Sequence, residues 1–499
     1  PQSPDLDAFW RNLRDGRDCI VEVPRERWDW RDYYSEDRTR DDAHYSRWGG
    51  FIEGVDEFDP RFFGIAPREA KGMDPQERLF LQHAWMAVED AGYTRARLQV
   101  ADARGLPGQV GVYAGVMYGE YNLSGSLASI ANRVSYFLNL HGPSMTLDTM
   151  CSSSLTAIHL ACQDLRLGRT SMGIAGGVNV SIHPNKYTML SRGQFISGDG
   201  HCQSFGEGGD GYIPGEGVGV CVLRRLSDAE RDGDPILGVI RGSALNHGGK
   251  TNGYTVPNPQ AQAEVIRRAL LEAGIDPRHV GYIEAHGTGT KLGDPIEIAA
   301  LTRAFHGDAP EPGQETGYCL IGSAKSNIGH CESAAGIAGV TKVLLQMAHE
   351  AIVPSLHSSR LNPYIDFAAT PFVVNQTLRA WDAPVVDGRR LPRIAGISSF
   401  GAGGSNAHVL IEEYRGPAAP WGASAWPLVF PLSARTAAQL AQRVEDLLAF
   451  LERDGSGIDA HALAHALQVG REAMDERAAF VATDLDGAKA ALRALRDGV

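Results

Sequence analysis

The sequence predicts an α/β protein of stacked layers, built as two pseudo-repeated halves and followed by a small α/β appendage. Three observations predict it. Runs such as "GQVGVYAGV" and "SMGIAGGVNVSI" are almost wholly apolar, as strands covered on both faces must be. Helix-patterned stretches alternate with these runs, with apolar residues three and four apart. The alternation begins afresh near residue 235, and 499 residues are too many for one ordinary core.

The elements follow in order. Residues 1 to about 60 are polar and rich in aromatics ("RERWDWRDYY", expected to pack on the surface), with a helix over 5–15. "DPQERLFLQHAWMAVEDAG" (74–92) reads as a helix capped by Asp74 and ended by Gly92. A buried strand over 108–116 and "ANRVSYFLNL" lead to "SMTLDTMC", after which a helix runs to a stop at Gly168. Strands at "SMGIAGGVNVSI" and "GVGVCVLRRL" (217–226) close the first half, 1–234.

The second half, 235–414, opens on the strand "ILGVIRGSALN" and the helix "PQAQAEVIRRALLEAGI". "VGYIEAHGTGT" is a strand running into a glycine-rich loop, and "DPIEIAALTRAF" is a helix with Pro295 in its first turn. "IGSAKSNIGHCESAAGIAGVTKVLLQMAHE" gives strand, loop and long helix, and "FVVNQ" and "RIAGISSFGAGGSNAHVLIEEY" complete the sheet around a glycine-rich turn. A Pro/Gly/Ala linker (415–427) opens the appendage, 415–499, which reads as two helices, a strand and a final helix.

Composition excludes several classes. A net charge of −13 without a basic stripe argues against nucleic acid as a partner. The seven cysteines (Cys19, Cys151, Cys162, Cys202, Cys221, Cys319, Cys331) form no C-x-x-C pair, so neither a zinc site nor a disulfide framework is expected. No apolar run approaches membrane length and "PQSPDLDAFW" has no signal-peptide pattern, so a reducing, cytoplasmic setting is expected and the sequons at Asn122 and Asn375 carry no meaning.

Three residues carry the chemistry. Cys151 sits between a strand and a helix, where free N–H groups and the macrodipole favour the thiolate that attacks thioesters. A small buried side chain is the competing reading of that position. His286 in "EAHGTGT" and His330 in "KSNIGHCES" both lie in glycine-rich strand-to-helix loops, which suggests convergence on one site. Such a pair can hold a carbonyl or carboxylate oxygen and stabilise negative charge as it develops.

"DTMCSSSLTA", "EAHGTGTKLGDPIE", "KSNIGHCESAAGIAG" and "GISSFGAGGSNAHV" resemble the signature loops of β-ketoacyl synthases, specifically ketosynthase domains of modular type I polyketide synthases. The resemblance covers about residues 1–414. "SFGEGGDGYIPGEGVGV" and "NHGGKTNGYTVPNP" are similar to the trans-acyltransferase subset, whose modules lack their own acyltransferase, and no G-H-S-x-G motif appears. "PLSARTAAQL" and "LQVGREAMDERAAFV" resemble the linker or docking subdomain that follows those ketosynthases.

The resemblance implies a thiolase-like α-β-α-β-α fold and chain elongation by decarboxylative Claisen condensation. It implies that Cys151 accepts the acyl chain, while His286 and His330 hold the malonyl extender and assist its decarboxylation. The N–H groups of Cys151 and Phe400 would form an oxyanion hole, and Lys325 would hydrogen-bond and orient the His330 region. Thr288 and Thr290 would contact the pantetheine arm, Phe400 with Gly401 would gate the two pockets, and Glu332 would support the site or cap a helix. Met150 stands where alanine is common, and its thioether should reshape the acyl pocket.

The resemblance further implies no bound cofactor or metal, with substrates delivered on the phosphopantetheine of acyl carrier proteins. A trans-acting acyltransferase, a homodimer and a multifunctional enzyme of antibiotic biosynthesis are implied too. The alternative is a non-elongating ketosynthase, acting as an acyl-transfer gate or carrier-protein scaffold. A thiolase or chalcone-synthase-like activity is disfavoured because both histidines are present. The family's usual first strand is missing before Pro1 and the loop over 117–130 is short, which is expected of an incomplete sequence rather than a real truncation. His201, His247 and His408 are expected to face solvent or bond backbone.

Overall fold

The computed structural model describes residues 1–102, 104–121, 125–307, 313–386, 388–416 and 427–498. Asn122 and most of the 415–427 linker lie outside the described residues. The first half contributes α1 (Leu6–Arg14), α2 (Pro75–Asp90), β1 (Val110–Gly115), α3 (Ser129–Leu138), β2 (Ser144–Leu147), α4 (Ser153–Arg166), β3 (Met172–Asn179), α5 (Asn185–Arg192) and β4 (Gly217–Leu223). The second contributes β5 (Val239–His247), α6 (Pro259–Ala273), β6 (Tyr282–Glu284), α7 (Gly293–His306), β7 (Cys319–Gly322), α8 (Lys325–Ile328), α9 (Ala335–Ala348), β8 (Phe372–Val374), β9 (Ile394–Phe400) and β10 (Ser405–Glu412). The appendage holds β11 (Leu428–Ala434), α10 (Ala437–Asp454), α11 (Ala460–Val469), β12 (Glu476–Ala482) and α12 (Leu485–Arg496).

The first sheet has the order β2-β1-β3-β4, parallel except for β4. The second has the order β8-β7-β6-β9-β10-β5 and contains the same four-strand unit as β7-β6-β9-β10, again parallel with an antiparallel last strand. Beyond that unit it adds β5 against β10 and β8 against β7. The pseudo-repeat is thus explicit in strand order and direction. β1 and β3 are buried along their whole lengths, which is why their sequences read as continuous apolar runs.

Helices α4 and α9 lie between the two sheets; α2 and α3 cover the outer face of the first, α6 with α7 that of the second. The result is the expected five-layer, thiolase-like α/β core. Leu155, Ile158, Ile337, Val340, Ile397 and Val409 fill the middle layer. Gly336 permits the close approach of α9 to α4: a Cβ there would fall 2.6 Å from Leu155 Cγ. Local signals hold the helix starts, as Asp5 accepts from Ala8 N–H and Asp74 from Gln76 N–H.

Some expectations need correction. Trp28 of the aromatic run is buried against Phe51 and Tyr187, in a satellite core with Val23 and Leu190, so it is not surface packing. His408 neither faces solvent nor bonds backbone; it is enclosed on β10 beside Ser398 Oγ at 3.0 Å, and burial pushes it down to about 3. The helix α5 and the strand β11 are additional to the sequence reading.

Candidate active site

Cys151 lies between β2 and α4, with Ser152 at the helix N-cap. The turn is tight because Met150 takes a left-handed backbone (φ 57°). That geometry is held by Asp148 Oδ1, which accepts from Met150 N–H at 2.7 Å, and by Ser153 Oγ, which donates to Met150 O at 2.6 Å. Met150 reaches the β9–β10 turn, where its Sδ would lie 3.5 Å from a Cβ on Gly403. A Cβ on Gly401 would fall 2.5 Å from Thr149 O, so only glycine fits that close approach.

His286 follows β6 and His330 follows α8. One ring nitrogen of each and Cys151 Sγ lie within 4.8 Å of one another, with the two rings nearly perpendicular and their centroids 5.4 Å apart. Sequence positions 151, 286 and 330 therefore do meet. Phe400 packs beside His286, ring centroids 5.7 Å apart.

Backbone groups set both imidazoles. Glu332 N–H donates to His330 Nδ1 at 2.9 Å, and Phe400 N–H donates to His286 Nδ1 at 3.3 Å. A ring nitrogen that accepts cannot carry the proton, so in each neutral imidazole the proton is on Nε2. His330 Nε2 is buried with no partner among the described residues. Burial first, and the positive charge of Lys325 second, drive both histidines well below their ordinary range, so both are neutral N–H donors. For Phe400 N–H to serve an oxyanion hole, its long bond to His286 must be exchanged for one to the substrate oxygen.

The thiol departs from expectation. Lys325 and the N–H groups of Ala402 and Cys151 favour the thiolate, but burial and the charge of Glu332 outweigh them and push Cys151 up to about 12. Cys151 rests as a thiol, and the helix-terminus argument for a thiolate is corrected: desolvation dominates. Lys325 is corrected as well. Among the described residues its ammonium makes no hydrogen bond to the His330 segment; it acts through its charge, felt by Cys151, His286 and His330. Glu332, the acid of that segment, is already taken: it accepts from Lys186 Nζ at 2.9 Å and from Tyr212 Oη at 3.3 Å.

Lys186 and Tyr212 were not singled out from sequence. Lys186, on α5, is fully buried between Glu332 and Asn179 Oδ1 (2.9 Å) and stands over the Tyr118 ring. Tyr212 packs on His330, ring centroids 4.8 Å apart. The acids of "GDPIE" also matter. Glu297 accepts from the N–H groups of His286 and Gly287, both at 2.7 Å, and Asp294 accepts from Phe205 and Gly289. Burial pushes Glu297 up to about 7 and Asp294 to about 6. Thr288 and Thr290 face each other on the same loop, Oγ1 to Oγ1 3.1 Å.

Comparison with known proteins agrees with this geometry. Residues 1–229 match the family model for the beta-ketoacyl synthase N-terminal domain, 237–359 that for its C-terminal domain, and 431–499 that for the RhiE-like KS-MAT linker domain. The chain is 58% identical over 503 residues to polyketide synthase PksL of Bacillus subtilis (strain 168), covering 97% of this chain and 11% of that protein. It is 57% identical over 522 residues to polyketide synthase ThaG of Burkholderia thailandensis, covering 100% of this chain and 9% of that protein. The chain thus spans about a tenth of the length of these relatives. Among solved structures, the oxazolomycin ketosynthase domain OzmH KS7 of Streptomyces albus JA3453 superposes with TM-score 0.93 at 49% identity, over 99% of this chain and 87% of that one. The ketosynthase from module 6 of the bacillaene synthase of Bacillus subtilis 168 gives 0.90 at 40% identity, over 100% and 83%.

Proposed function

The chain belongs to the β-ketoacyl synthase family, as a polyketide synthase ketosynthase, and from that premise we propose that it elongates a polyketide chain by decarboxylative Claisen condensation. Cys151 Sγ attacks the acyl thioester of a carrier-protein phosphopantetheine. The acyl C–S bond to pantetheine breaks, and the thiol proton of Cys151 ends on the departing pantetheine sulfur. A malonyl thioester then binds with its carbonyl oxygen toward the Nε2–H groups of His286 and His330. Carbon dioxide leaves, the enolate oxygen is held by those two donors, and the enolate carbon attacks the Cys151 thioester. The Cys151–acyl bond breaks to give the β-ketoacyl thioester, and the released sulfur takes up a proton, as its raised pKa favours.

The observation that carries this reading is the buried His330 Nε2, without a partner among the described residues, beside His286 and Cys151 Sγ. A desolvated N–H donor is costly unless an oxygen arrives to accept it. Thr288 and Thr290 meet the pantetheine arm, Phe400 and Gly401 gate the two substrates, and Met150 shapes the acyl pocket. Burial, with the Lys325 charge second, keeps the histidines neutral. We assign the domain to the trans-acyltransferase type, on the resemblance of residues 204–220 and 246–259. It then works as a cytoplasmic homodimer in an antibiotic pathway, with acyl carrier proteins and a separate acyltransferase, and it binds no cofactor of its own.

Intact-mass measurement after incubation with an acyl thioester tests the nucleophile: one adduct is expected on the wild type and none on Cys151→Ala. His330→Ala should keep the adduct and lose the β-ketoacyl product. A wild type that forms no adduct defeats the proposal. One that forms the adduct and never condenses is an acyl-transfer gate.

A further inference from the structure

We propose that Asp18, His201 and His357 form a binding site for one divalent transition-metal ion of the zinc class, separate from the catalytic cluster. The three residues come from distant segments: Asp18 follows α1, His201 lies in the loop after α5, and His357 follows α9. Their donor atoms lie within 4.8 Å of one another. Asp18 Oδ2 is 3.2 Å from His201 Nδ1 and 3.2 Å from His357 Nε2. Donors about 2.1 Å from one tetrahedral ion stand roughly 3.4 Å apart, close to the two separations from Asp18 Oδ2.

Asp18 and the segment of His201 are braced by neighbouring groups. Asp18 spends Oδ1 on Ile20 N–H (3.0 Å), which leaves Oδ2 turned to both imidazoles. The loop carrying His201 is fixed by Asp199 Oδ1, which accepts from His201 N–H at 2.9 Å. His357 Nε2 is buried 3.2 Å from Asp18 Oδ2, the same oxygen that His201 Nδ1 bonds, so an ion would replace these Asp–His contacts. The His201 side chain is 45% exposed, giving the ion an entry path and leaving a coordination position to water. Two neutral imidazoles and one carboxylate suit a borderline divalent ion better than calcium or magnesium.

The site lies one residue from the catalytic loop's support. Cys202 Sγ bonds Thr288 O at 3.4 Å, and Ser204 Oγ bonds Gly287 O at 2.5 Å. A bound ion would therefore tie the segment after α1 to the loop that braces His286 from behind. Binding only to the folded chain, it would also raise thermal stability.

The Cys151, His286 and His330 cluster could itself trap metal, so the test uses the Cys151→Ala chain titrated with Co²⁺ as an optical stand-in for Zn²⁺. One equivalent is expected, with ligand-field bands of four- or five-coordinate cobalt and no thiolate charge transfer. Binding should weaken about tenfold or more in Asp18→Asn and in His357→Gln. Zn²⁺ should raise the melting temperature of the Cys151→Ala chain, and that rise should vanish in Asp18→Asn. Should Asp18→Asn or His357→Gln fail to fold, His201→Gln, at the most exposed ligand, gives the same readout. Absence of Co²⁺ binding, or binding unchanged by these substitutions, overturns the proposal.

Discussion

In the first half the loop after β2 turns at once into α4 and presents a single reactive atom, Cys151 Sγ. In the second half the corresponding loop, after β7, runs from Ser323 to Ala334 and carries Lys325, His330 and Glu332 before α9 begins. The two strands occupy equivalent places in their sheets, so the pseudo-repeat points both loops at one site. One half supplies the nucleophile and the other supplies the field around it. Helix position, which the first half offers, leaves the thiol protonated; the charges that raise or lower it most, Glu332 and Lys325, belong to the second half.

The comparison breaks most completely if the bond between halves is cut. Lys186 and Glu332 pair across them at 2.9 Å with no exposure on either side chain. Lys186→Met would leave a buried carboxylate with the Tyr212 hydroxyl but no counter-charge and should cost about 3–5 kcal/mol, read by urea denaturation. Lys342→Met, which breaks the buried pair to Glu284 inside the second half (2.7 Å), should cost a similar amount. Only the first should also slow condensation in the folded protein, because Glu332 N–H sets the His330 tautomer. A Lys186→Met chain that loses under about 1 kcal/mol would show that the pair is not structural.

A smaller effect sharpens the division between position and field. Lys325→Met removes a charge that forms no ion pair among the described residues but that also favours the ionised forms of the buried Asp294 and Glu297, so those two carboxyls should rise further as well. The Cys151 pKa, already raised, should rise further, and both histidines should climb back toward their ordinary range. The pH profile of Cys151 alkylation should therefore move upward. A profile that stays in place, or moves down, would mean that the helix terminus rather than Lys325 governs the thiol.

Much of this was legible in the sequence. Continuous apolar runs mark β1 and β3, and the four motifs after β2, β6, β7 and at the end of β9 locate Cys151, His286, His330 and Phe400. Lys186 was not legible: "HPNKYTMLSR" carries no motif, and its partner Glu332 is 146 residues away. The state of the thiol was not legible either, because desolvation is a property of the assembled layers. His201 reads as a loop histidine facing solvent or backbone, and neither Asp18 nor His357 carries a signal, until the fold brings the three together. Strand β11 directly follows the Pro/Gly/Ala run and has little alternation to announce it.

The appendage stands outside the pairing of halves, and its attachment is of another kind. Arg95 grips Glu472 through Nε and Nη2, both at 2.8 Å, and its N–H donates to the same carboxylate at 3.0 Å. The Arg95 side chain is 39% exposed, so solvent screens the pair in a way that it cannot screen Lys186 and Glu332. The appendage also has its own core, around Phe430, Leu448, Leu451 and Leu492. Arg95→Met should thus cost no more than about 1 kcal/mol, and less as salt is raised. Proteolysis within 415–427 should quicken only slightly, and acylation of Cys151 should be unchanged. A loss comparable to that of Lys186→Met would mean that the appendage is as integral to the core as the two halves are to each other.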